Sequence, residues 1–543
     1  MKADRLLELY EEISDASDAI ARLRDVVLEV GVRGKLNEQD DAETVSPEFL
    51  NETSDPKFPA NWRTLNFGKY CNIEGGNQPP KSQFVDTPRD GYVRLFQIRD
   101  LGERPVPVFI PETSTKRFSV EGEILIGRYG ASVGKVFWAQ NGAYNVALAK
   151  FIFPANAFLP DFAFRLLKSS FFQKALEGAS RTAQAGFNKG DLAHIDFPLP
   201  PLAEQHRIVA KVDELMALCD QLEQARAGRE AVRDRLTTAS LARLTAPDND
   251  AETFQSHARF ALQSLPTLTT RPDQIKPLRQ TILNLAVRGK LVAQDAADEP
   301  AAELLKRIAQ EKARLVKSGQ IKDRTSPRRN GDAAELSVPQ GWVVSNLQTI
   351  CTSVTDGDHL PPPKAEQGVP FLVIGDVRTQ TIEFSGNRFV SQEYYDALDS
   401  IRRPRAGDLL YTLVGSYGIP VIVRDDRAFC VQRHIGILRP SKQVDLGFLA
   451  RVMESQFIFD QATECATGIA QKTVPLSGLR NIAIPLPPLA EQHRIVAKVD
   501  ALMALCDQLE ASLTTATTTR QRLLTALLHE ALEPATLELE AAE

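Results

Sequence analysis

The sequence lacks the patterns by which most enzymes announce themselves. Its six cysteines, Cys71, Cys219, Cys351, Cys430, Cys465 and Cys506, include no C-x-x-C pair in 543 residues. That spacing argues against a zinc ribbon, a dithiol redox motif or a disulfide scaffold, and leaves reduced, packed thiols. No run of eighteen apolar residues occurs, and the opening MKADRLLELYEEISDASDAI is charged and helix-like with no apolar signal core, so a cytoplasmic protein without a membrane span is expected. There is no H-E-x-x-H, no G-x-S-x-G nucleophile elbow and no G-x-G-x-x-G fingerprint. Nor is there an Asn-Pro-Pro-aromatic or Asp-Pro-Pro-aromatic box of the kind amino-methyltransferases use: Gln78-Pro79-Pro80 and Pro361-Pro362-Pro363 lack both flanks. Gly130-Ala131-Ser132-Val133-Gly134-Lys135 comes near a phosphate loop, but three residues rather than four separate its glycines, and Val136 follows the lysine. The histidines do not cluster at ligand spacing, so no catalytic, metal or cofactor residue is assigned.

An excess of positive charge is also missing, since the net charge is -6. What binds phosphate is local charge, however, not the total. Residues 62–197 hold 17 Lys+Arg against 12 Asp+Glu, residues 342–484 hold 14 against 15, and the remainder carries -10. The acid therefore lies mostly outside these two segments.

What the sequence does have is a repeat, which fixes architecture before any local reading. PLPPLAEQHRIVAKVDELMALCDQLE at Pro198–Glu223 returns at Pro485–Glu510 with one difference in 26 residues, Glu214 against Ala501. LRDVVLEVGVRGKL from Leu23 and LRQTILNLAVRGKL from Leu278 precede these copies at an offset of 255 rather than 287, so the second unit is longer by 32 residues. Much of the excess is the charged stretch Leu304–Asn330. Between the repeated ends the middles have diverged, yet Pro59, Trp62 and Cys71 align with Pro339, Trp342 and Cys351.

After the proline brake, Ile208, Val212, Leu215, Cys219 and Leu222 fall at spacings of four, three, four and three, and Ile495, Val499, Leu502, Cys506 and Leu509 repeat them. This is the seam of a heptad helix that must face another helix. The helices are expected to run to near Ala246 and near Leu532, roughly 65 to 70 Å each at 1.5 Å per residue. The middles read as compact α+β domains with short apolar strands broken by glycine turns, as in GEILIGRYGASVGKVFWA (Gly122–Ala139) and GDLLYTLVGSYGIPVIVR (Gly407–Arg424). The expected fold class is thus α+β: two globular domains separated by two long antiparallel coiled-coil helices in a pseudo-twofold repeat. The expected layout is 1–58, an N-terminal helical region; 59–197, the first domain; 198–246, a central spacer helix; and 247–277, a linker. Then follow 278–338, a repeated helical approach with the charged insert; 339–484, the second domain; and 485–543, the C-terminal spacer helix.

Both middles carry Arg, Lys, Gln, Asn, His and Tyr in glycine-punctuated loops, the groups that pair with base edges or hold phosphates. The candidates in the first are Gln78, Lys81, Gln97, Arg99, Arg128, Tyr129, Lys135, Asn145, Gln184, Asn188 and Lys189. In the second they are His359, Lys364, Arg378, Tyr417, Arg433, His434, Gln471 and Lys472. Each alone reads more readily as a solvated surface residue than as a base contact; their concentration in both middles is the signal.

A near-identical P-L-P-P-L-x-E-Q-x-R-I-V helix start after each of two diverged domains, with GEILIGRYGASVGKV in one and the looser GDLLYTLVGSYGIPV in the other, resembles the specificity subunit of type I restriction-modification systems. The resemblance spans essentially the whole chain. It implies a non-catalytic subunit with two target-recognition domains, each reading one half of a bipartite double-stranded DNA target. The helices would serve as spacer and as docking surface for two modification subunits. It further implies that the partners bind S-adenosylmethionine and methylate adenine N6, while separate restriction subunits cleave DNA using ATP and Mg; the chain itself would hold no cofactor. The competing reading is a coiled-coil scaffold or adaptor that touches no DNA, which explains the heptads but not why the domains diverged while the rods did not.

Overall fold

The computed structural model describes residues 16, 18–102, 104–179, 186–246, 250–322, 338–359, 362–363, 365–386, 388–468 and 471–532. The chain forms two compact units, one of residues 1–229 with 516–543, the other of residues 230–515. Six helices frame them: α1 (Ala19–Val32), α2 (Leu202–Thr245), α3 (Ala251–Leu268), α4 (Ile275–Val287), α5 (Ala301–Lys317) and α6 (Leu489–Leu532). The two rods α2 and α6 thus start just past the Pro-x-Pro-Pro brake; α2 ends one residue short of the expected Ala246, and α6 is helical through Leu532, the last described residue. No helix among the described residues is long and apolar enough to cross a membrane.

In the first unit the heptad seam packs on the short repeated helix α1. Ile208 and Val212 are buried, and α1 comes so close that a Cβ on Gly31 would stand 3.2 Å from Val212 and 3.3 Å from Ile208. A bulkier residue would push the helices apart, which is why a small residue sits there. Arg24 of α1 donates to Asp220 at 2.6 Å and Glu223 at 2.7 Å. The other end of α1 shares an apolar cluster with the tail of α6, through Ala16, Ala19, Leu524 and Leu527. In the second unit the same scheme recurs: Ile495, Val499 and Cys506 share a core with Ile282 and Ala286 of α4, and Arg279 donates to Asp507 at 2.5 Å and Glu510 at 2.9 Å. Leu285 of α4 meets Leu241 and Leu244 at the end of α2. Leu222, the fifth seam position, stays exposed.

The segment 247–277, expected as a linker, is not a bare connection. Its Asp250 side chain accepts from the Thr253 N–H at 2.7 Å, an N-cap that starts α3. Phe254 and Ala258 of α3 then pack against Leu241 and Leu244, so apolar burial overrides a composition rich in Ser, Thr and Pro. The charged insert is likewise helical through α5, with Ala301, Leu304 and Ile308 buried.

Each of the two α+β domains is hung from its rod by a two-stranded antiparallel ribbon. Arg63–Asn66 pairs with Asp196–Leu199, and Val343–Asn346 pairs with Ala483–Leu486. Within the first domain a four-stranded sheet runs in the order Asn72–Gly75, Leu148–Ile152, Ile124–Gly127, Val136–Trp138, and a second runs Phe109–Pro111, Tyr92–Phe96, Gly142–Tyr144, Phe118–Ser119. The second domain repeats the first of these sheets as Cys351–Asp356, Ile435–Pro440, Leu409–Thr412, Pro420–Ile422. The companion sheet there has three strands, Phe389–Val390, Val369–Leu372 and Cys430–Val431. The mixed fold read from the sequence is therefore present twice.

Candidate nucleic-acid interface

The repeated Ala-Glu-Gln-His-Arg block at the start of each rod is a socket for its domain. Glu204 is fully buried and accepts from the Trp62 indole N–H at 2.7 Å and from Gln39 Nε2 at 2.7 Å. Glu491 accepts likewise from Trp342 at 2.9 Å and Gln294 at 2.7 Å. Burial raises the pKa of both carboxyls above the ordinary range, against the lowering effect of their indole and amide donors. The neighbouring Gln205 accepts from the Leu159 N–H at 2.8 Å and donates to Ala157 O at 2.7 Å; Gln492 accepts from the Asp445 N–H at 2.9 Å. Arg207 makes a forked pair with Glu43 at 2.6 and 2.8 Å, and Arg494 reaches Asp298 at 2.6 Å. The three side chains thus tie the segment before the domain and the helix within it to the rod.

The glycines of the repeated R-G-K-L are part of the same joint. Gly34 (φ 69°) and Gly289 (φ 65°) occupy the left-handed region that favours glycine. A Cβ there would stand 2.6 Å from Pro59 and 2.4 Å from Pro339 respectively. That close approach explains why the aligned Pro and Trp travel with the glycine.

In the first domain the glycine-punctuated loops converge at one end of the main sheet. Gly76 and Asn77 donate to Leu148 O (3.0 Å) and Tyr144 O (3.2 Å), which lays the segment leading to Gln78 across the 144–148 turn. Asn145 N–H donates to Phe96 O at 3.0 Å, adjoining Gln97. Arg128 donates from its backbone to Ala147 O at 2.8 Å and from Nε to Phe187 O at 2.7 Å, and its guanidinium covers the Tyr129 ring at 5.1 Å. Asn188 and Lys189 follow directly. Lys81, Lys135 and Lys189 are exposed and make no ion pair among the described residues.

Not every candidate presents a free side chain. Asn145 is buried, and its Oδ1 accepts from the Ala147 N–H at 3.1 Å. Asn188 caps the turn Lys189–Leu192, accepting from Gly190 N–H at 2.8 Å. Both keep only their amide NH2 groups for other use. Arg99 is exposed, 3.8 Å from Asp100. Gln184 lies outside the described residues.

The second domain gathers its loops at the corresponding end. Gly357 packs so tightly that a Cβ would stand 1.9 Å from Val431 O, and Asp358 bridges to Gln432, which brings His359 to the loop of Arg433 and His434. His359 Nε2 lies 3.0 Å from Asp356, and Arg433 Nε donates to His434 Nε2 at 3.3 Å. Burial, and then the charge of Arg433, push the His434 pKa down, so its ring is neutral at neutral pH. Leu413 N–H donates to His434 O (2.9 Å) and Gly415 N–H to Lys472 O (3.1 Å), which ties the glycine turn to Gln471 and Lys472. Arg378 sits apart beside Glu383 at 3.4 Å. Tyr417 is packed rather than presented: its ring stacks on Phe459 at 5.3 Å and its hydroxyl meets Thr463 at 2.9 Å. Lys364 lies outside the described residues.

Sequence reasoning missed several polar groups at these loops. Arg402 Nη1 donates to Gly357 O at 2.7 Å, and Tyr394 donates to Asp358 at 2.5 Å. In the first domain Glu74 gathers Arg117 and the Tyr144 hydroxyl. The run Ile-Arg-Arg-Pro-Arg was a legible signal for Arg402; nothing in the local pattern pointed to Tyr394 or Glu74.

Two segments, 59–228 and 339–516, match the family model described as the type I restriction modification DNA specificity domain. The type I restriction enzyme EcoEI specificity subunit of Escherichia coli is 32% identical over 353 residues, covering 62% of this chain and 58% of that one. The EcoAI specificity subunit of the same organism is 32% identical over 344 residues, covering 61% and 57%. The chain thus spans less than two thirds of the length of these relatives. A solved chain from a type I R-M system is 18% identical with a TM-score of 0.49, covering 88% of this chain and 98% of that one.

Proposed function

The chain belongs to the family of type I restriction modification DNA specificity domains, and on that premise we propose that it is the DNA-recognition subunit of a type I restriction-modification complex. It does no chemistry of its own. Each recognition domain reads one half of a bipartite duplex target, through the loops gathered at the end of its main sheet. The observation that carries this reading is the contrast between near-identical sockets and diverged loops. A scaffold has no use for two different loop sets on one invariant joint, whereas a reader of two different half-sequences needs that arrangement.

Modification subunits dock on the rods and supply S-adenosylmethionine-dependent methylation of adenine, and restriction subunits supply ATP- and Mg-dependent cleavage, in the cytoplasm. Support for paired docking comes from the repeat partners Leu218 and Leu505, exposed by 47% and 59% at equivalent places in the two units. Apolar side chains left open at the same position twice suit the same partner bound twice.

Phosphate contacts set the salt dependence of binding, with a slope of about -0.9 in log K against log salt for each neutralised phosphate. Replacing Lys81, Lys135 and Lys189 together by Ala is therefore expected to reduce the slope by about 2 to 3 in a duplex-binding titration of the full chain. Preference among sequences should change little, because lysines on phosphates carry no base information. An unchanged slope would remove these loops from the interface.

A further inference from the structure

The two halves of a duplex carry the same charge density, but the two recognition domains do not: the first holds +5 and the second -1. The second unit alone has an insert, and its stretch Leu304–Asn330 holds nine Lys+Arg against two Asp+Glu. An excess of positive charge thus returns, on a different element, in the unit whose domain lacks it.

The fold fixes this element against the second domain. Ala301, Leu304 and Ile308 of α5 enter that domain's core. Lys312 donates to Gln348 O at 2.5 Å, Arg307 to Gln443 at 3.0 Å, and Ser441 donates to Glu311. With that face committed, Arg314, Lys317 and Lys322 are left exposed, with no ion pair among the described residues. Long cations cost side-chain entropy to hold in place and contribute little to folding when solvated. Three of them with no acid between them in the sequence are better suited to an external anion.

Beside them lies a cleft of about 600 Å³. Lys317 and Lys322 line one wall, Thr352, Ser353 and Ser400 line the other, and among the described residues Asp399 is the one carboxylate. Lysines facing hydroxyls are phosphate-holding chemistry. Strand Cys351–Asp356 runs from this cleft to Gly357 and His359 of the candidate interface. The wall at 399–401 leads into Arg402, which holds Gly357 O. The cleft and the reading loops are therefore neighbours on one domain.

We propose that α5 and its cleft hold backbone phosphates of duplex DNA flanking the half-target read by the second domain, supplying the attraction that domain lacks. This rests on the chain being a DNA reader, and the two ideas can fail separately. The test is duplex binding by the full chain across a salt series, with a long random-sequence duplex and with the host's methylated motif. Wild type is compared with the triple variant Arg314→Ala, Lys317→Ala, Lys322→Ala. The expected result is a slope reduced by about 2 to 3 on both duplexes, with the ratio between them unchanged. The substituted side chains are exposed, so the thermal unfolding midpoint should match wild type, which separates lost contacts from lost fold.

A wild-type slope retained by the variant overturns the proposal while leaving the DNA-reading function intact. Absence of salt-dependent binding in wild type overturns both. A changed ratio between the duplexes would mean the cleft reads bases, contrary to the proposal. Inorganic phosphate protecting Lys317 and Lys322 from amine labelling as well as the random duplex does would make the cleft a small-anion site instead.

Discussion

Replacing Glu204 by Ala is expected to lower the thermal unfolding midpoint of the chain by roughly 4 to 16 °C. The carboxylate accepts the indole N–H of Trp62 and the amide of Gln39 in a fully buried setting. Truncation leaves the indole donor without a partner, and a stranded buried donor costs about 1–3 kcal/mol. The lost second bond and the small void bring the total to about 2–4 kcal/mol, and a unit of this size moves by roughly 2–4 °C per kcal/mol. Glu204→Gln keeps one acceptor oxygen and should lose less than half as much. Glu491→Ala should behave the same way in the second unit, because its partners are the repeat equivalents. Differential scanning calorimetry checks all three; a shift below about 2 °C for Glu204→Ala would mean the socket does not hold the domain.

Because the two sockets are alike, the domains should be interchangeable between them. Substituting residues 63–199 for residues 343–486 keeps both Trp62 and Trp342 in place and cuts at the paired ends of the ribbons, Arg63 with Leu199 and Val343 with Leu486. The graft loses the contacts of α5 with Gln348, Ser441 and Gln443, so it is expected to fold with a lower midpoint than wild type and to give a complex whose target holds the first half-sequence twice and the second not at all. Specificity should change by the full cost of the lost half-site, several mismatched base pairs at about 1–3 kcal/mol each. Selection of bound duplexes from a random library shows the outcome, and retention of the second half-sequence would mean that parts outside residues 343–486 read it.

How much of this was legible in the sequence differs by level. The rods were, because proline brakes and heptad spacing act locally, and α2 and α6 both start just past the brake, at Leu202 and Leu489. The role of Glu204 was not, since its partners Gln39 and Trp62 lie 165 and 142 residues away and a Glu at a helix start reads first as a dipole or capping residue. The helix α3 was hidden by its composition, for burial of Phe254 against Leu241 and Leu244 is a tertiary effect. Among the site residues, exposed lysines such as Lys81 and Lys135 stayed on the surface as their chemistry dictates. Tyr417 was taken inward by Phe459 and Thr463, contacts that no short-range pattern encodes, whereas Asn145 is held by a local turn to the Ala147 N–H two residues on.

The central claim is that this chain gives a complex its two-part DNA specificity, and a map of methylated adenines in the host genome tests it most directly. With the gene intact, the account predicts a motif of two defined half-sequences separated by a fixed number of unspecified bases. That motif should vanish when the gene is deleted and return when it is restored. A motif that survives deletion, or one whose specified bases are contiguous, would contradict the account.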